Sequence, residues 1–187
     1  PLVAVVSATG SERMGAELAP RVAARFGHSI LELGGNNAAI VAPSADLELA
    51  VRGIVFAAAG TAGQRCTSLR RVIAHESIAD DLVQKIQARV GKLVPGDGTR
   101  GCDMGPLVTA AHRDKVTSYL GAGTEPGATL VIDGREGDVD ADGEGYFLKP
   151  TLFDHVTSDM SIYQDEIFGP VLSVVRVQSY DEGLRLI

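Results

Sequence analysis

Apolar and polar positions along this chain follow two rhythms, and the order in which they change predicts strand and helix in turn. Residues 1–6 form a nearly continuous apolar run, the pattern of a buried strand. Thr9-Gly10-Ser11 then turns the chain into a helix over residues 12–26. Residues 29–33 predict a second short strand, ended by Gly34-Gly35, and residues 37–41 a third, stopped at Pro43. A helix over 45–59 places Leu47, Val51, Ile54 and Ala58 on one face at three- and four-residue spacing, and Gly60 and Gly63 break it just before Cys66. Residues 69–74 predict a strand of a second layer. Ser77 is the candidate cap of the next helix, with Asp80 in its first turn and Ile78, Leu82, Ile86 and Val90 as its apolar stripe. Further on come a Gly/Asp-rich loop (95–104), a helix (109–120), a strand (129–132) and an acidic, glycine-rich loop (134–145). Two more strands, 147–153 and 171–177, lie on either side of the 165–170 segment, and a last helix starts at Tyr180. Strand and helix alternate, so the expected class is α/β with a largely parallel sheet. The first predicted strand begins at residue 1 and the last helix lacks a capping glycine, which reads as a segment excised from a longer protein.

Composition narrows the functional classes. At 187 residues the chain has room for one domain, or one and part of another. Hydrophobic residues at 45% and charged residues at 22% exclude disorder by composition. A net charge of −7 argues against nucleic acid or an anionic membrane surface as partner. No apolar run approaches the roughly 20 residues of a membrane span, and residues 1–8 lack the basic start and cleavage signature of a signal peptide. Cys66 and Cys102 could form one disulfide, but two thiols in an acidic chain point to a reducing compartment, the cytoplasm.

Four places carry candidate chemistry. Cys66 follows Gly60-Thr61-Ala62-Gly63-Gln64-Arg65, a run of small residues that lets a substrate approach the sulfur, with backbone N–H groups that can face an oxyanion. Arg65 next to it would favour the thiolate, although a buried structural cysteine is the commoner fate of a lone thiol. Glu32 stands in an apolar strand that runs into two glycines. There it is either a desolvated general base or a strand-end carboxylate in solvent. Gly10 and Ser11 lie in a strand–turn–helix that can hold a phosphate at the helix N-terminus. The turn lacks the full three-glycine fingerprint and reads equally as a plain connection. Glu166 and Phe168 precede a Gly-Pro turn, where Phe168 could pack on a planar ligand or the segment could be a loop anchor. His28, His75, His112 and His155 show no metal-ligand spacing, and the alternating Asp138, Asp140 and Asp142 lack the closing Glu of a calcium loop, so no metal site is expected.

Taken in order, Leu31-Glu32-Leu33-Gly34-Gly35, then Gly63-Gln64-Arg65-Cys66, then Glu166-Ile167-Phe168-Gly169-Pro170 resembles the motif set of the aldehyde dehydrogenase superfamily, with Glu32 and Cys66 separated by 34 positions. Gly105-Pro106-Leu107 and Gly145-Tyr146-Phe147-Leu148-Lys149-Pro150-Thr151 are similar to family segments too. The likeness is split by subfamily. From residue 1 to about Ile86 the chain resembles antiquitin-type enzymes, which oxidise α-aminoadipic semialdehyde, a likeness carried by residues 31–39 and 57–71. From about Gly96 onward the chain resembles methylmalonate-semialdehyde dehydrogenase, a CoA-acylating enzyme.

The resemblance implies an aldehyde dehydrogenase-like fragment. Residues 1–34 would be the end of a Rossmann-type NAD(P)-binding domain, and residues 35–187 a catalytic, thiol-bearing α/β domain truncated at its C-terminus. It implies NAD or NADP as cofactor, with NAD favoured, a small-molecule aldehyde (a semialdehyde) as substrate, and a homo-oligomeric parent. Carried over residue by residue, Cys66 attacks the aldehyde, a thioester forms, and Glu32 activates the water that hydrolyses it. Gly10 and Ser11 would lie near the cofactor pyrophosphate, Leu33 and Gly34 beside the nicotinamide, and Glu166 and Phe168 at a ribose. Arg65 and Thr67 would flank the substrate. The presence of Glu32 favours water over CoA as acyl acceptor, because the acylating relatives do not carry this base. The competing reading from another class is a catalytically inactive segment that acts only as a folding or assembly module.

Overall fold

The computed structural model describes residues 3–122, 127–137, 139 and 145–187. The chain divides into two compact units, Pro1–Gly35 and Asn36–Ile187. The expected loop with Asp138, Asp140 and Asp142 lies largely outside the described residues.

The first unit is one β–α–β element. Strand β1 (Val5–Thr9) pairs in parallel with β2 (His28–Glu32), in a register that runs from Val5 opposite His28 to Thr9 opposite Glu32. Helix α1 (Glu12–Ala23) joins them. Ser11 caps it by accepting a hydrogen bond from the Met14 N–H at 3.2 Å. The strand predicted over residues 1–6 therefore starts later, at Val5, because pairing with β2 and not apolar content sets its limits. Nor is it buried: Val3, Val5 and Ile30 are exposed in this chain. Helix α1 stops short of the predicted Phe26. Phe26 takes a left-handed φ of 58°, and the Gly27 N–H returns to the Val22 carbonyl at 3.1 Å, closing the helix end. Gly15 is where α1 meets the end of β2: a Cβ there would lie 2.6 Å from Cδ1 of Leu33.

The second unit is a five-stranded sheet in the order β3-β4-β7-β6-β5, where β3 is Asn37–Val41, β4 Leu69–His75, β5 Thr129–Ile132, β6 Thr151–Asp154 and β7 Val171–Val177. All neighbours run parallel except β5 against β6. Strand β4 is not in a second layer, as expected, but sits between β3 and β7. Its alternation explains the placement. Val72 and Ala74 face one core with helices α2 (Leu47–Ala59) and α3 (Glu76–Val90), and Ile73 faces the other side, near Gly183 of helix α6 (Tyr180–Arg185). Helix α4 (Ala110–Ala122) and the short α5 (Ser161–Gln164), which the periodicity does not reveal, supply Val116, Leu120, Ile162 and Tyr163 to a second core that holds Phe153 and Val175.

The remaining differences are local. Helix α2 is capped by Asp46, whose carboxylate accepts from the Leu49 N–H at 3.1 Å. Helix α3 is capped by His75, not Ser77: the His75 Nδ1 accepts from the Ser77 N–H at 3.2 Å, and Glu76 rather than Asp80 occupies the first turn. Leu82, Ile86 and Val90 are buried, and Ile78 packs against the same core as expected. Strand β6 begins at Thr151, four residues after the predicted start. Pro150 has no N–H, and the Lys149 N–H is taken by the Gly134 carbonyl at 3.0 Å.

One ionic cluster ties β6, β7 and α3 together. The Arg176 guanidinium meets Asp154 at 2.7 Å, Asp80 at 2.7 Å and Glu76 at 3.2 Å. Hydrogen bonding to Asp154 is the main reason its pKa rises above the ordinary guanidinium range. Arg176 and Asp154 are 12% and 6% exposed, so removing Arg176 leaves Asp154 a largely buried carboxylate without its guanidinium. Arg176→Met is expected to cost about 3 kcal/mol of unfolding free energy. Glu76→Ala, at the exposed edge of the cluster, should cost under about 1 kcal/mol. Urea unfolding of both variants checks the difference.

Candidate active site

The segment before Cys66 is built around an unusual backbone. Helix α2 ends at Ala59 and runs into a 3-10 turn, Gly60–Gly63, in which Thr61 (φ 53°), Ala62 (φ 53°) and Gly63 (φ 69°) are all left-handed. Position 63 admits only glycine. A Cβ there would lie 2.1 Å from the Gly169 carbonyl oxygen, inside any van der Waals contact. Gln64 then fastens the turn to the 105–108 segment: its Oε1 accepts from the Val108 N–H at 3.0 Å, and its Nε2 donates to the Pro106 carbonyl at 3.2 Å. Cys66 and Thr67 are exposed, and Cys66 and Cys102 are not joined by a disulfide. The reading of Cys66 as a buried structural thiol is thereby set aside.

The backbone around the thiol is held on both sides. Asn37, at the start of β3, donates its Nδ2 to the carbonyls of Cys66 and Ser68. The Arg65 N–H donates to Ser68 Oγ at 3.1 Å, and the Ser68 N–H to the Arg65 carbonyl at 3.0 Å. The Arg65 guanidinium lies over the Phe56 ring, 5.4 Å from its centroid. A second cation, Arg70, lies in β4 and bonds to this loop. Burial lowers the Arg70 pKa from its usual range, while the charges of Glu166 and Cys66 act in the opposite direction. Arg70 donates to the Arg65 and Ser68 carbonyls, both at 2.9 Å, and its Nη2 stands 3.3 Å from Glu166 Oε1.

Glu166 and Phe168 are therefore neighbours of the thiol-bearing loop in space, although about a hundred positions away in sequence. Glu166 Oε1 is buried with no hydrogen-bond partner among the described residues, while its side chain as a whole is 27% exposed. Phe168 has a left-handed φ of 58°. Its carbonyl accepts from His112 Nε2 at 2.7 Å, and its ring has the Arg70 guanidinium 5.5 Å away. In this unit the chemistry collects at the amino ends of β3, β4 and β7, since Asn37 opens β3, Cys66 precedes β4 and Glu166 precedes β7.

In the first unit the candidates collect at the carboxyl ends of the strands, the usual ligand side of a parallel sheet. The Gly10 N–H donates to the Glu32 carbonyl at 2.9 Å, which joins the turn after β1 to the end of β2. Ser11 caps α1, Leu33 packs on Gly15, and Gly34 is half-buried. The Glu32 side chain is exposed at the end of β2. Among the described residues β2 has β1 alone beside it, which leaves this end open.

Two features escaped sequence reasoning. Asn37 belongs to a polar pair at a strand start, and Arg70-Arg71 interrupts an otherwise apolar strand; paired arginines in a buried strand are the signal that was there to find. Arg71 donates to the Asn36 and Leu186 carbonyls and stacks over Tyr163 at 4.8 Å. Among the described residues no group of three or more His, Cys, Asp or Glu side chains could hold a metal ion, and no helix is long and apolar enough to cross a membrane.

With this geometry in place, the whole chain finds its family: residues 1–187 match the aldehyde dehydrogenase family. The chain belongs to that family. It is 43% identical, over its whole length, to malonate-semialdehyde dehydrogenase 1 of Geobacillus thermodenitrificans, of which it covers 38%. Among solved structures it is similar to methylmalonate-semialdehyde dehydrogenase from Oceanimonas doudoroffii, at 40% identity and a TM-score of 0.95, covering 99% of this chain and 38% of that one. Betaine aldehyde dehydrogenase from Staphylococcus aureus in complex with NAD+ is 34% identical, with a TM-score of 0.92 and 98% and 37% coverage. The chain thus spans a little over a third of these relatives. The likeness to malonate-semialdehyde dehydrogenase extends over the whole chain.

Gly63→Ala tests the turn. The added methyl meets Gly169 in a left-handed conformation, and about 2–3 kcal/mol of stability should be lost. Gly98→Ala, where a Cβ meets nothing within 4 Å, should stay within about 0.5 kcal/mol of the parent in the same unfolding experiment.

Proposed function

We propose that this chain is the nucleophile-bearing segment of an NAD(P)-dependent aldehyde dehydrogenase that oxidises a semialdehyde to the free acid. The observation that carries this reading is the exposed Cys66 on a loop braced by Asn37, Gln64 and Arg70, within a chain that aligns throughout with the family. The thiolate of Cys66 adds to the aldehyde carbonyl carbon, and the Cys66 N–H is available to the oxyanion. Loss of hydride leaves a thioester, and Glu32 takes a proton from the water that hydrolyses it. A sulfur suits both steps, as strong nucleophile and then as leaving group.

The residues present fit a dinucleotide. The Gly10-Ser11 turn stands at the carboxyl end of β1 and opens a twelve-residue helix, a suitable place for a pyrophosphate. Glu166, 27% exposed, offers its carboxylate to ribose hydroxyls, with Phe168 beside it. Leu33 and Gly34 would lie by the nicotinamide, and Arg65 and Thr67 by the substrate. The cofactor, when bound, accepts the hydride. NAD is favoured over NADP, since structural relatives are described in complex with NAD. The first unit is then the end of the cofactor domain and the second the catalytic domain. The exposed Val3, Val5 and Ile30 suit strands that continue into a larger sheet. On the same reading the parent works as a homo-oligomer in the cytoplasm.

The malonate- and methylmalonate-semialdehyde names of the relatives support a second reading, transfer of the acyl group to CoA. Glu32 favours water. In the full-length protein carrying this segment, Cys66→Ala should abolish formation of reduced nicotinamide from malonic, methylmalonic or aminoadipic semialdehyde. Glu32→Gln should keep a first burst and slow steady turnover by about a hundredfold or more. Product analysis with CoA present decides the acceptor: free acid supports hydrolysis, and acyl-CoA in its place overturns it. The isolated 187-residue chain is expected to turn over poorly.

A further inference from the structure

We propose that Arg70 is a positioning residue that locks the Cys66 loop and the Glu166–Phe168 turn into one arrangement. The inference deepens the function proposed above and rests on its assignment of Cys66 as nucleophile and Glu166 as a ribose ligand. Arg70 lies in β4, four residues past Cys66, and is 4% exposed. An apolar side chain would fill such a position at lower cost, because a buried guanidinium must have its donors met. Its two terminal nitrogens are met by functional segments. Nη1 donates to the Ser68 carbonyl and Nη2 to the Arg65 carbonyl, both at 2.9 Å, so the two bonds bracket Cys66-Thr67. The same Nη2 stands 3.3 Å from Glu166 Oε1, and the guanidinium plane lies by the Phe168 ring at 5.5 Å.

A single rigid fork thus spans two segments that the sequence keeps far apart. Lysine could keep the charge opposite Glu166 but not the two carbonyl bonds, since an ammonium is a point charge without the planar fork. A side chain that merely filled the strand would predict loss of stability and nothing else. The geometry predicts two functional losses that depend differently on Glu166.

The test uses the full-length protein carrying this segment, with Arg70→Met, Arg70→Lys, Glu166→Gln and the Arg70→Met/Glu166→Gln pair. Two quantities are measured: the rate of Cys66 alkylation by iodoacetamide at fixed pH without cofactor, mapped by peptide mass spectrometry, and the Kd for NAD. Arg70→Met should slow alkylation about tenfold in both Glu166 backgrounds, through loss of the loop's brace. It should weaken NAD binding about tenfold when Glu166 is present and by less than about twofold once Glu166 is Gln, because the two act on one interaction. Arg70→Lys should recover part of the NAD affinity and little of the alkylation rate, and it decides the matter if Arg70→Met does not fold. Alkylation and Kd both within about twofold of the parent, or an NAD effect that is undiminished in the Glu166→Gln background, overturn the proposal. A parent that binds no NAD instead refutes the proposed function, while the alkylation contrast still reports on the loop.

Discussion

The contact between Gly63 and the carbonyl of Gly169 is the constraint from which the rest of the site follows. Two backbones approach so closely that no side-chain carbon fits at position 63. To reach that contact, the chain leaving α2 must pass through three successive left-handed residues, two of which are not glycine, at about 1 kcal/mol or more for each of those two. Strain of this kind persists only where the surroundings over-determine it. Here the surroundings are the hydrogen bonds from Gln64 to Pro106 and Val108, from Asn37 to the Cys66 and Ser68 carbonyls, and from Arg70 to the Arg65 and Ser68 carbonyls. The thiol is exposed, but the loop that carries it is pinned on every side. That combination suits a nucleophile that must meet its substrate in a fixed orientation.

The sheet makes this possible. With β3, β4 and β7 adjacent and parallel, the segments that enter them converge at one edge, and Asn37, Cys66 and Glu166 all lie on such segments. In the first unit the candidate cofactor residues instead follow their strands, at the carboxyl ends of β1 and β2. The two arrangements are the same principle used in opposite senses: a parallel sheet gathers every crossover loop at one end or the other, and a site needs several loops at once.

Buried charge is used sparingly and always with partners. Arg176 answers Asp154, Glu76 and Asp80, and Arg71 answers two backbone carbonyls and the Tyr163 ring. Arg70 answers two carbonyls and Glu166. The first two join elements of the scaffold. The third joins the loop of Cys66 to the turn of Glu166, the two segments on which the proposed chemistry depends.

Much of this was legible in the sequence. The limits of β3, β5 and β7, the apolar faces of α2 and α3, and the three ordered motifs stand in local patterns, because period and turn chemistry are properties of neighbouring residues. So did the identity of the candidate groups, including Cys66, Glu32, Glu166 and Phe168. Tertiary structure decided what depends on distant partners. It put β4 between β3 and β7 in the five-stranded sheet, moved β1 into register with β2, delayed β6 to Thr151, and left Glu32 at an open strand end. It also gave Arg70 and Asn37 their tasks. A guanidinium in a strand can be read from the chain, but the carbonyls and the carboxylate it will meet are chosen only when strands remote in sequence come to lie side by side.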